Sequence, residues 1–378
     1  MKLACVTDYR AAARARLPKV LFDYIDGGAY GETTLAANVA DLQRIKLRQR
    51  VLRDVSRLAM ETQLFGQKLS MPVVLSPIGI AGMYSRRGEA ATARAARDAG
   101  VPFALSTVGV CPLEEVAAAA GPPWFQLYMI RDRGFMSEML ARAREAATPV
   151  LLFTVDLPLP GSRYRDARNG MNADTLAARI GQGVDGLTHP AWLWDVQMRG
   201  RPLTPGNIAS VAPDLKSLTQ FWGWIGRNFD PSVTWKDIDW VRERWPGPLV
   251  LKGVLDTEDA REAVRCGVDG VVVSNHGGRQ LDGVASGIAA LPRVAQAVGS
   301  DLTVLMDGGV RSGLDVLKAL ASGAKACLIG RAWAFALAAR GEAGVAHVLQ
   351  IIRSELRVAM SLTGCVDVAA AGPELLDS

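Results

Sequence analysis

The sequence has few cysteines, few histidines and no long uncharged apolar run. Its five cysteines lie far apart, none of them in a C-x-x-C pair, and their number is odd, which argues against both a disulfide framework and a cysteine zinc site. No apolar run reaches the roughly 20 residues that span a bilayer. Asp8 and Arg10 interrupt the N-terminus where a signal peptide is most apolar. We therefore expect a reducing, cytoplasmic compartment, no transmembrane segment and no metal.

A small excess of positive charge, 43 basic against 38 acidic residues, gives a formal net charge of +5. Such an excess favours anionic partners in general: carboxylate substrates, phosphate cofactors or acidic lipid headgroups. The basic residues are scattered and no nucleic-acid-binding motif is present, so we expect no nucleic-acid partner.

Eight short apolar runs alternate with alanine-rich stretches along most of the chain. They span residues 71–79, 102–107, 124–128, 149–156, 248–253, 270–276, 303–309 and 326–331. This alternation predicts βα units of the α/β class, and the chain length suits one (β/α)8 TIM barrel. Nearly every run ends in a polar, glycine or charged residue, and in a barrel those ends share the C-terminal face, where ligands bind. We predict helices over 88–99, 113–120, 256–266 and 311–321.

We predict a single domain over residues 1–378, in which an N-terminal cap of helices and a hairpin (1–70) precedes the barrel (71–378). The gap between the fourth and fifth strands is too long for one helix and two loops, which predicts an insertion over about 167–235. This insertion contains four tryptophans and two arginines: Trp192, Trp194, Trp222, Trp224, Arg199 and Arg201. Such a composition is typical of a segment at a membrane interface, or of a lid or subunit contact with buried tryptophans.

The glycine-rich loop after the sixth strand, Ser274 to Gln280, contains a histidine and an arginine three residues apart. Two glycines allow the backbone to approach a ligand closely. An imidazole beside a guanidinium suits a general base next to a carboxylate anchor, so we expect His276 to act as the base and Arg279 to bind an anion. The other two histidines, His189 and His347, are interpreted as structural.

Further polar residues follow the other strands. Asp307-Gly308-Gly309-Val310-Arg311 and Gly330-Arg331 follow strands seven and eight, where barrels often bind phosphate; the alternative is a plain strand–turn–helix. Asp307, an anion, suits a sugar hydroxyl better than a phosphate. Lys252 ends strand five, where an ammonium can stabilise negative charge that develops in a reaction. Asp156 ends strand four and can orient the histidine, and Arg163 follows it.

With these motifs in order, the chain resembles the FMN-dependent α-hydroxy-acid dehydrogenase and oxidase family over essentially its whole length, most specifically in Ser274-Asn-His-Gly-Gly-Arg-Gln280. The resemblance implies FMN as cofactor, His276 as base, Asp156 as its partner, and Tyr128 assisting at the substrate hydroxyl or the intermediate. It implies that Tyr24, Arg163 and Arg279 hold the substrate carboxylate. For FMN it implies Pro77, Ile78, Gly79, Ser106, Gln126, Thr154, Lys252, Ser274, Asp307, Gly308, Gly309, Arg311, Gly330 and Arg331.

Within that family, the likeness is to bacterial respiratory L-lactate dehydrogenases, in the stretches 8–13, 22–30, 105–108, 131–135 and 228–231. It implies oxidation of L-lactate to pyruvate, a membrane quinone or cytochrome as acceptor, a peripheral position on the cytoplasmic face of the inner membrane, and a homotetramer. Gly79 stands where many oxidases of the family carry alanine, and Val108 replaces the tryptophan of glycolate oxidases. The alternatives are an (S)-mandelate or other L-2-hydroxy-acid enzyme, a non-redox phosphate-binding barrel and a non-catalytic membrane-surface protein.

Overall fold

The computed structural model describes residues 2–171, 175–212, 215 and 218–377. Three helices and an antiparallel hairpin come first: α1 (Val6–Arg16), α2 (Lys19–Asp26), α3 (Thr33–Arg44), β1 (Thr62–Leu64) and β2 (Gln67–Leu69). Strands and helices then alternate up to β6: β3 (Val73–Leu75), α4 (Gly88–Ala99), β4 (Ala104–Ser106), α5 (Leu113–Ala120), β5 (Trp124–Leu127), α6 (Arg133–Glu145) and β6 (Leu151–Thr154). A run of helices follows: α7 (Tyr164–Arg168), α8 (Leu176–Leu187), α9 (Pro190–Trp192), α10 (Leu218–Asn228) and α11 (Lys236–Arg244). The alternation then resumes with β7 (Leu249–Val254), α12 (Thr257–Arg265), β8 (Gly270–Val273), α13 (Gly287–Val298), β9 (Thr303–Met306), α14 (Gly313–Ala321), β10 (Ala326–Ile329) and α15 (Arg331–Thr363).

Eight parallel strands form the barrel in the order β3-β10-β9-β8-β7-β6-β5-β4. The first and last strands of this order meet where the Leu75 amide donates to the Pro102 carbonyl at 2.8 Å, beside a parallel bridge from Leu75 to Phe103. The predicted α/β class and TIM barrel are confirmed. Helices α4 and α5 have the predicted bounds, whereas α12 and α14 are each two residues shorter: α12 begins after its N-cap Asp256 and ends before its C-cap Cys266, and α14 begins after its N-cap Ser312.

The barrel interior is filled by side chains that alternate along the strands. Val74, Ala104, Trp124, Leu152, Val250, Val272, Leu305 and Leu328 form one buried cluster with Leu64 and Leu69 of the hairpin. Phe65 packs edge-on against Trp124, and the Trp124 indole donates to Gln67. Because the hairpin covers the N-terminal ends of the strands, the C-terminal face is left for ligands.

The segment between β6 and β7 contains α7 to α11 and a π-helix, Leu193–Met198. Three of the four tryptophans discussed above pack inside the protein, because Trp192 and Trp224 are only 7% and 8% exposed and Trp222 is half-buried. Trp194 is 61% exposed, with the Arg199 guanidinium 6.0 Å from its ring. Of the two interpretations left open for this segment, buried packing describes Trp192, Trp222 and Trp224, and only Trp194 of the four is exposed as a membrane interface requires.

Among the helices of the described residues, none is both long enough and apolar enough to cross a bilayer.

Candidate active site

A cavity opens at the C-terminal face of the barrel. It encloses about 1110 Å³ of space free of atoms, including its opening to solvent. Sixteen of the residues predicted for the site line it: Tyr24, Pro77, Ile78, Gly79, Tyr128, Thr154, Arg163, Lys252, His276, Arg279, Asp307, Gly308, Gly309, Arg311, Gly330 and Arg331. The other four, Ser106, Gln126, Asp156 and Ser274, lie behind this lining and are buried or nearly so.

The predicted base and its carboxylate partner are in contact. His276 Nδ1 lies 2.8 Å from Asp156 Oδ1, so Nε2 is the ring nitrogen left for a ligand in the cavity. Burial by itself raises the pKa of the Asp156 carboxyl, but His276 and then Lys252 outweigh burial and hold this pKa below its usual value. The anionic carboxylate can thus orient the ring and stabilise an imidazolium.

The backbone at His276 is unusual for a side chain of this size. Its φ is +58°, in the left-handed region that non-glycine residues rarely adopt. The amide of His276 donates to Oγ of Ser274 at 3.0 Å, and Gly277 and Gly278 continue the turn with positive φ. This turn places the ring of His276 at the cavity wall.

Two arginines lie beside the histidine without a strong carboxylate partner. Arg163 reaches Asp166 only at 3.5 Å, and its buried Nε has no hydrogen-bond partner among the described residues. Burial, and secondarily Arg279, lowers the pKa of Arg163. Arg279 stacks over the Tyr24 ring at 4.6 Å and donates to the carbonyls of Tyr24 and Gly27. Such a pair of under-neutralised cations favours a carboxylate ligand.

Deeper in the cavity, polar groups surround a space that suits a flavin ring and its ribityl chain. Lys252 forms an ion pair with Asp307 at 2.9 Å and donates to Ser274 at 3.1 Å. Burial opposes the charged form of Lys252, yet Asp307 and Asp156 raise its pKa above the usual value. Gln126 Nε2, Thr154 Oγ1 and Asp307 Oδ1 are buried without a hydrogen-bond partner in the described ranges. The carbonyls, ring nitrogens and hydroxyls of FMN match these orphaned groups, so FMN fits.

The opposite end of the cavity suits a phosphate. Burial lowers the pKa of Arg311 to about 10 and that of Arg331 well below its usual value, and neither forms an ion pair within the structure as described. Gly308 and Gly309 have φ values of +92° and +84°, and Gly330 precedes the N-terminus of α15. Backbone amides at a helix N-terminus, together with guanidinium groups that no carboxylate neutralises, suit a phosphate dianion.

Arg331 also has a contact that sequence reasoning did not anticipate. Its three nitrogens donate to the carbonyls of Ile25, Gly27 and Gly277, at 2.9, 2.7 and 2.9 Å. The Gly27 carbonyl also accepts from Arg279. Arg331 therefore ties the end of α2 to the loop of His276, in addition to lining the cavity.

Trp222 at the cavity wall was missed as a site residue. It lies on α10, its ring centroid is 5.5 Å from that of Tyr24, and the Arg163 guanidinium lies 5.3 Å from it. Its buried Nε1 has no hydrogen-bond partner in the part of the chain that the structure describes. No strand end marks this position, so the sequence contains no local signal that would have identified it.

Comparisons with known proteins agree with this geometry. The family described as FMN-dependent dehydrogenase matches residues 13–378. The chain is 59% identical over 365 residues to an L-lactate dehydrogenase of Caulobacter sp. (strain K31), covering 96% of each chain, and 57% identical over 380 residues to one of Stenotrophomonas maltophilia (strain K279a), covering 100% of each.

Among solved structures, the monotopic membrane protein (S)-mandelate dehydrogenase superimposes with a TM-score of 0.92 at 36% identity over 100% of both chains. Mandelate oxidase with (S)-4-hydroxymandelic acid superimposes with a TM-score of 0.86 at 39% identity, covering 99% of this chain and 98% of that one. The matched length, the identities and the cavity lead to one conclusion: the chain belongs to the family of FMN-dependent dehydrogenases.

Proposed function

We propose that this chain oxidises L-lactate to pyruvate and passes the electrons to a membrane quinone or cytochrome. The observation that carries the proposal is the contact of His276 with Asp156 beside the under-neutralised guanidinium groups of Arg163 and Arg279. This arrangement can hold a carboxylate and remove a proton from the adjacent carbon or its hydroxyl. Relatives with 57–59% identity are named L-lactate dehydrogenases, whereas the two mandelate enzymes described above are 36% and 39% identical.

Each protein group has a separate task in this scheme. Arg163 and Arg279 clamp the substrate carboxylate against the Tyr24 side of the cavity, and Tyr128 contacts the hydroxyl. His276 accepts the proton at Nε2 while Asp156 stabilises the imidazolium through Nδ1. FMN, when bound, accepts the two electrons that leave the substrate.

For the cofactor we propose three groups of residues. Gln126, Thr154 and Lys252, whose unpaired or cationic groups face the interior, hold the flavin ring together with Ser106, Ser274 and the 77–79 backbone. Asp307 holds a ribityl hydroxyl. Gly308, Gly309, Arg311, Gly330 and Arg331 surround the phosphate.

An anaerobic absorbance titration of the purified protein tests this function. We expect FMN to copurify, L-lactate to bleach the flavin, and (S)-mandelate to bleach it more slowly; D-lactate serves as the stereochemical control. A flavin that stays oxidised with L-lactate contradicts the proposal. Faster bleaching by (S)-mandelate favours the mandelate alternative, and protein without FMN contradicts the cofactor assignment.

We further propose peripheral contact with the cytoplasmic face of the inner membrane. On α8, Ile180, Val184 and Leu187 have the i, i+4, i+7 spacing of one helix face, and they are 57%, 57% and 69% exposed. Trp194 and Met198 of the following π-helix are also exposed, next to Arg199 and Arg201. Exposed apolar and aromatic side chains next to arginines suit an anionic lipid surface. A monotopic membrane protein among the structural neighbours supports this proposal.

Flotation with anionic lipid vesicles tests the contact. We expect the triple variant Ile180→Ser/Val184→Ser/Leu187→Ser to lose vesicle binding while it keeps L-lactate activity with a soluble dye. The matched control is Val358→Ser/Leu362→Ser, an exposed apolar pair on α15, which should still float. A triple variant that floats like the wild type contradicts the proposal. The homotetramer is likewise a proposal, and sedimentation velocity measures it.

A further inference from the structure

A buried amide pair joins the N-terminal helix α3 to the loop of the base. Asn38 Nδ2 donates to Oδ1 of Asn275 at 2.9 Å, and Asn275 Nδ2 donates back to Oδ1 of Asn38 at 2.8 Å. Their side chains are buried, with residue exposures of 2% and 4%. Because each amide satisfies the other, the pair fixes the distance between two segments that are 237 residues apart in sequence.

Asn275 shapes the turn in which His276 lies. Its Oδ1 also accepts from the amide of Gly278 at 3.0 Å, and its Nδ2 donates to the Ala285 carbonyl at 3.0 Å. The base, in its left-handed conformation, lies between Asn275 and Gly278. The side chain of Asn275 thus closes the turn around His276.

The other side of Asn38 touches the loop proposed to bind phosphate. A Cβ on Gly309 would lie 1.9 Å from the backbone oxygen of Asn38, and one on Gly308 would lie 3.1 Å from its Oδ1. The amide of Gly287, the first residue of α13, donates to the same Oδ1 at 3.2 Å. Asn38 therefore bonds to the loop of the base through its side chain, and its backbone oxygen and Oδ1 lie against the two glycines of the loop proposed for the cofactor phosphate.

We infer that Asn38 is a positioning residue that couples occupancy of the cofactor site to the placement of His276. Asn38 does not line the cavity, so it acts through Asn275 on one side and through Gly308 and Gly309 on the other. A phosphate that fixes the glycine loop also fixes Asn38, and through the amide pair it fixes the turn that carries His276. This inference rests on the roles proposed above for the two loops.

Asn38→Asp tests the coupling, because a carboxyl group has nearly the same size as the amide group that it replaces. When protonated, the carboxyl group can donate to Oδ1 of Asn275 as the amide does. When ionised, it has no proton to donate, and two acceptor oxygens then face each other. We expect near wild-type FMN affinity at acidic pH, and a loss of about tenfold or more relative to wild type as the pH rises and the carboxyl ionises. The rate of flavin reduction should fall over the same pH range. Dividing the FMN affinity and the reduction rate of the variant by those of the wild type at each pH cancels any titration that the two proteins share.

Thr34→Val is the matched control. Thr34 lies one turn earlier on the same helix, is buried, and accepts from the amide of Gly283, so its loss removes a bond to the same region without touching Asn275 or Gly308. We expect its Tm to fall and the ratio of its FMN affinity to wild type to be independent of pH.

Two results would overturn the coupling, and neither depends on whether L-lactate is the substrate. The inference is overturned if Asn38→Asp keeps wild-type FMN affinity at all pH values, or if Thr34→Val reproduces its loss. Should Asn38→Asp not fold, Asn275→Asp carries the same pH signature from the other side of the pair. If L-lactate fails to reduce the wild-type flavin, the proposed function fails, while the FMN-affinity measurement still tests the coupling.

Discussion

Gly253 lies directly against the carboxyl group of Asp156, with no room for a side chain between them. A Cβ on Gly253 would lie 2.5 Å from Cγ of Asp156 and 2.6 Å from its Cβ, and Gly253 has a φ of +111°. The strand register shifts at this residue, between Lys252 and Val254. The glycine thus allows Asp156 to reach His276.

Gly253→Ala should therefore displace Asp156 and slow flavin reduction by about a hundredfold, the effect of a misplacement of roughly 1 Å. FMN should remain bound, since Gly253 does not line the cavity. Stopped-flow absorbance measures the rate. Gly121→Ala is the control, because Gly121 also has a positive φ, +86°, but has open space where its Cβ would stand. Equal rates in the two variants would contradict this role.

His276→Asn should abolish the base while keeping the backbone turn, because asparagine tolerates the left-handed region better than most residues. We expect flavin reduction to slow by about 10²–10⁴-fold with FMN still bound. Absorbance of the bound flavin and its anaerobic reduction by L-lactate are the measurements, with His189→Asn as the matched histidine control. Near-normal reduction would remove His276 from the role of base.

Loss of Arg163 should affect catalysis alone, whereas loss of Arg279 should affect both catalysis and FMN binding. Arg163→Met should reduce transition-state stabilisation, measured from kcat/KM, by about 2–5 kcal/mol with FMN affinity unchanged, because among the described residues Arg163 pairs with Asp166 and the aromatic rings rather than with the cofactor loops. Arg279→Met should cost as much and also weaken FMN binding, because Arg279 donates to the Tyr24 and Gly27 carbonyls and Arg331 donates to the same Gly27 carbonyl. Steady-state kinetics and FMN titration separate the effects. Identical FMN affinities in the two variants would contradict the proposed link from Arg279 through the Tyr24 and Gly27 backbone to the cofactor site.

Trp222→Ala should widen the cavity beside Tyr24 and Arg163. We expect the ratio of kcat/KM for (S)-mandelate to that for L-lactate to rise by about tenfold or more, because a hydrophobic pocket discriminates by the volume it leaves. Trp194→Ala, which truncates a tryptophan exposed to solvent, is the control and should leave the ratio unchanged. An unchanged ratio in Trp222→Ala would show that Trp222 does not limit substrate size.

Much of the barrel and of its cavity could be predicted from the sequence. The strand runs and the residues at their ends repeat with the period of βα units, and a barrel brings those ends to one face whatever the surrounding helices do. This is why His276, Lys252 and Asp307, each just after or within a predicted strand, line one cavity as expected. The burial of Trp192 and Trp224 was not predictable, because a cluster of tryptophans and arginines is compatible with a lipid surface and with a protein core.

The order of the strands along the chain, the turn chemistry of the glycine loops and the types of side chain at the strand ends can be read from the sequence alone, because they depend on neighbours within a few residues. Which distant segments support the site follows only from the folded arrangement. It placed Asn38 against Asn275, Trp222 beside Tyr24, and Gly253 against Asp156. Such contacts depend on how helices and loops pack around the barrel, and packing is set by the shape of the whole core rather than by any local pattern.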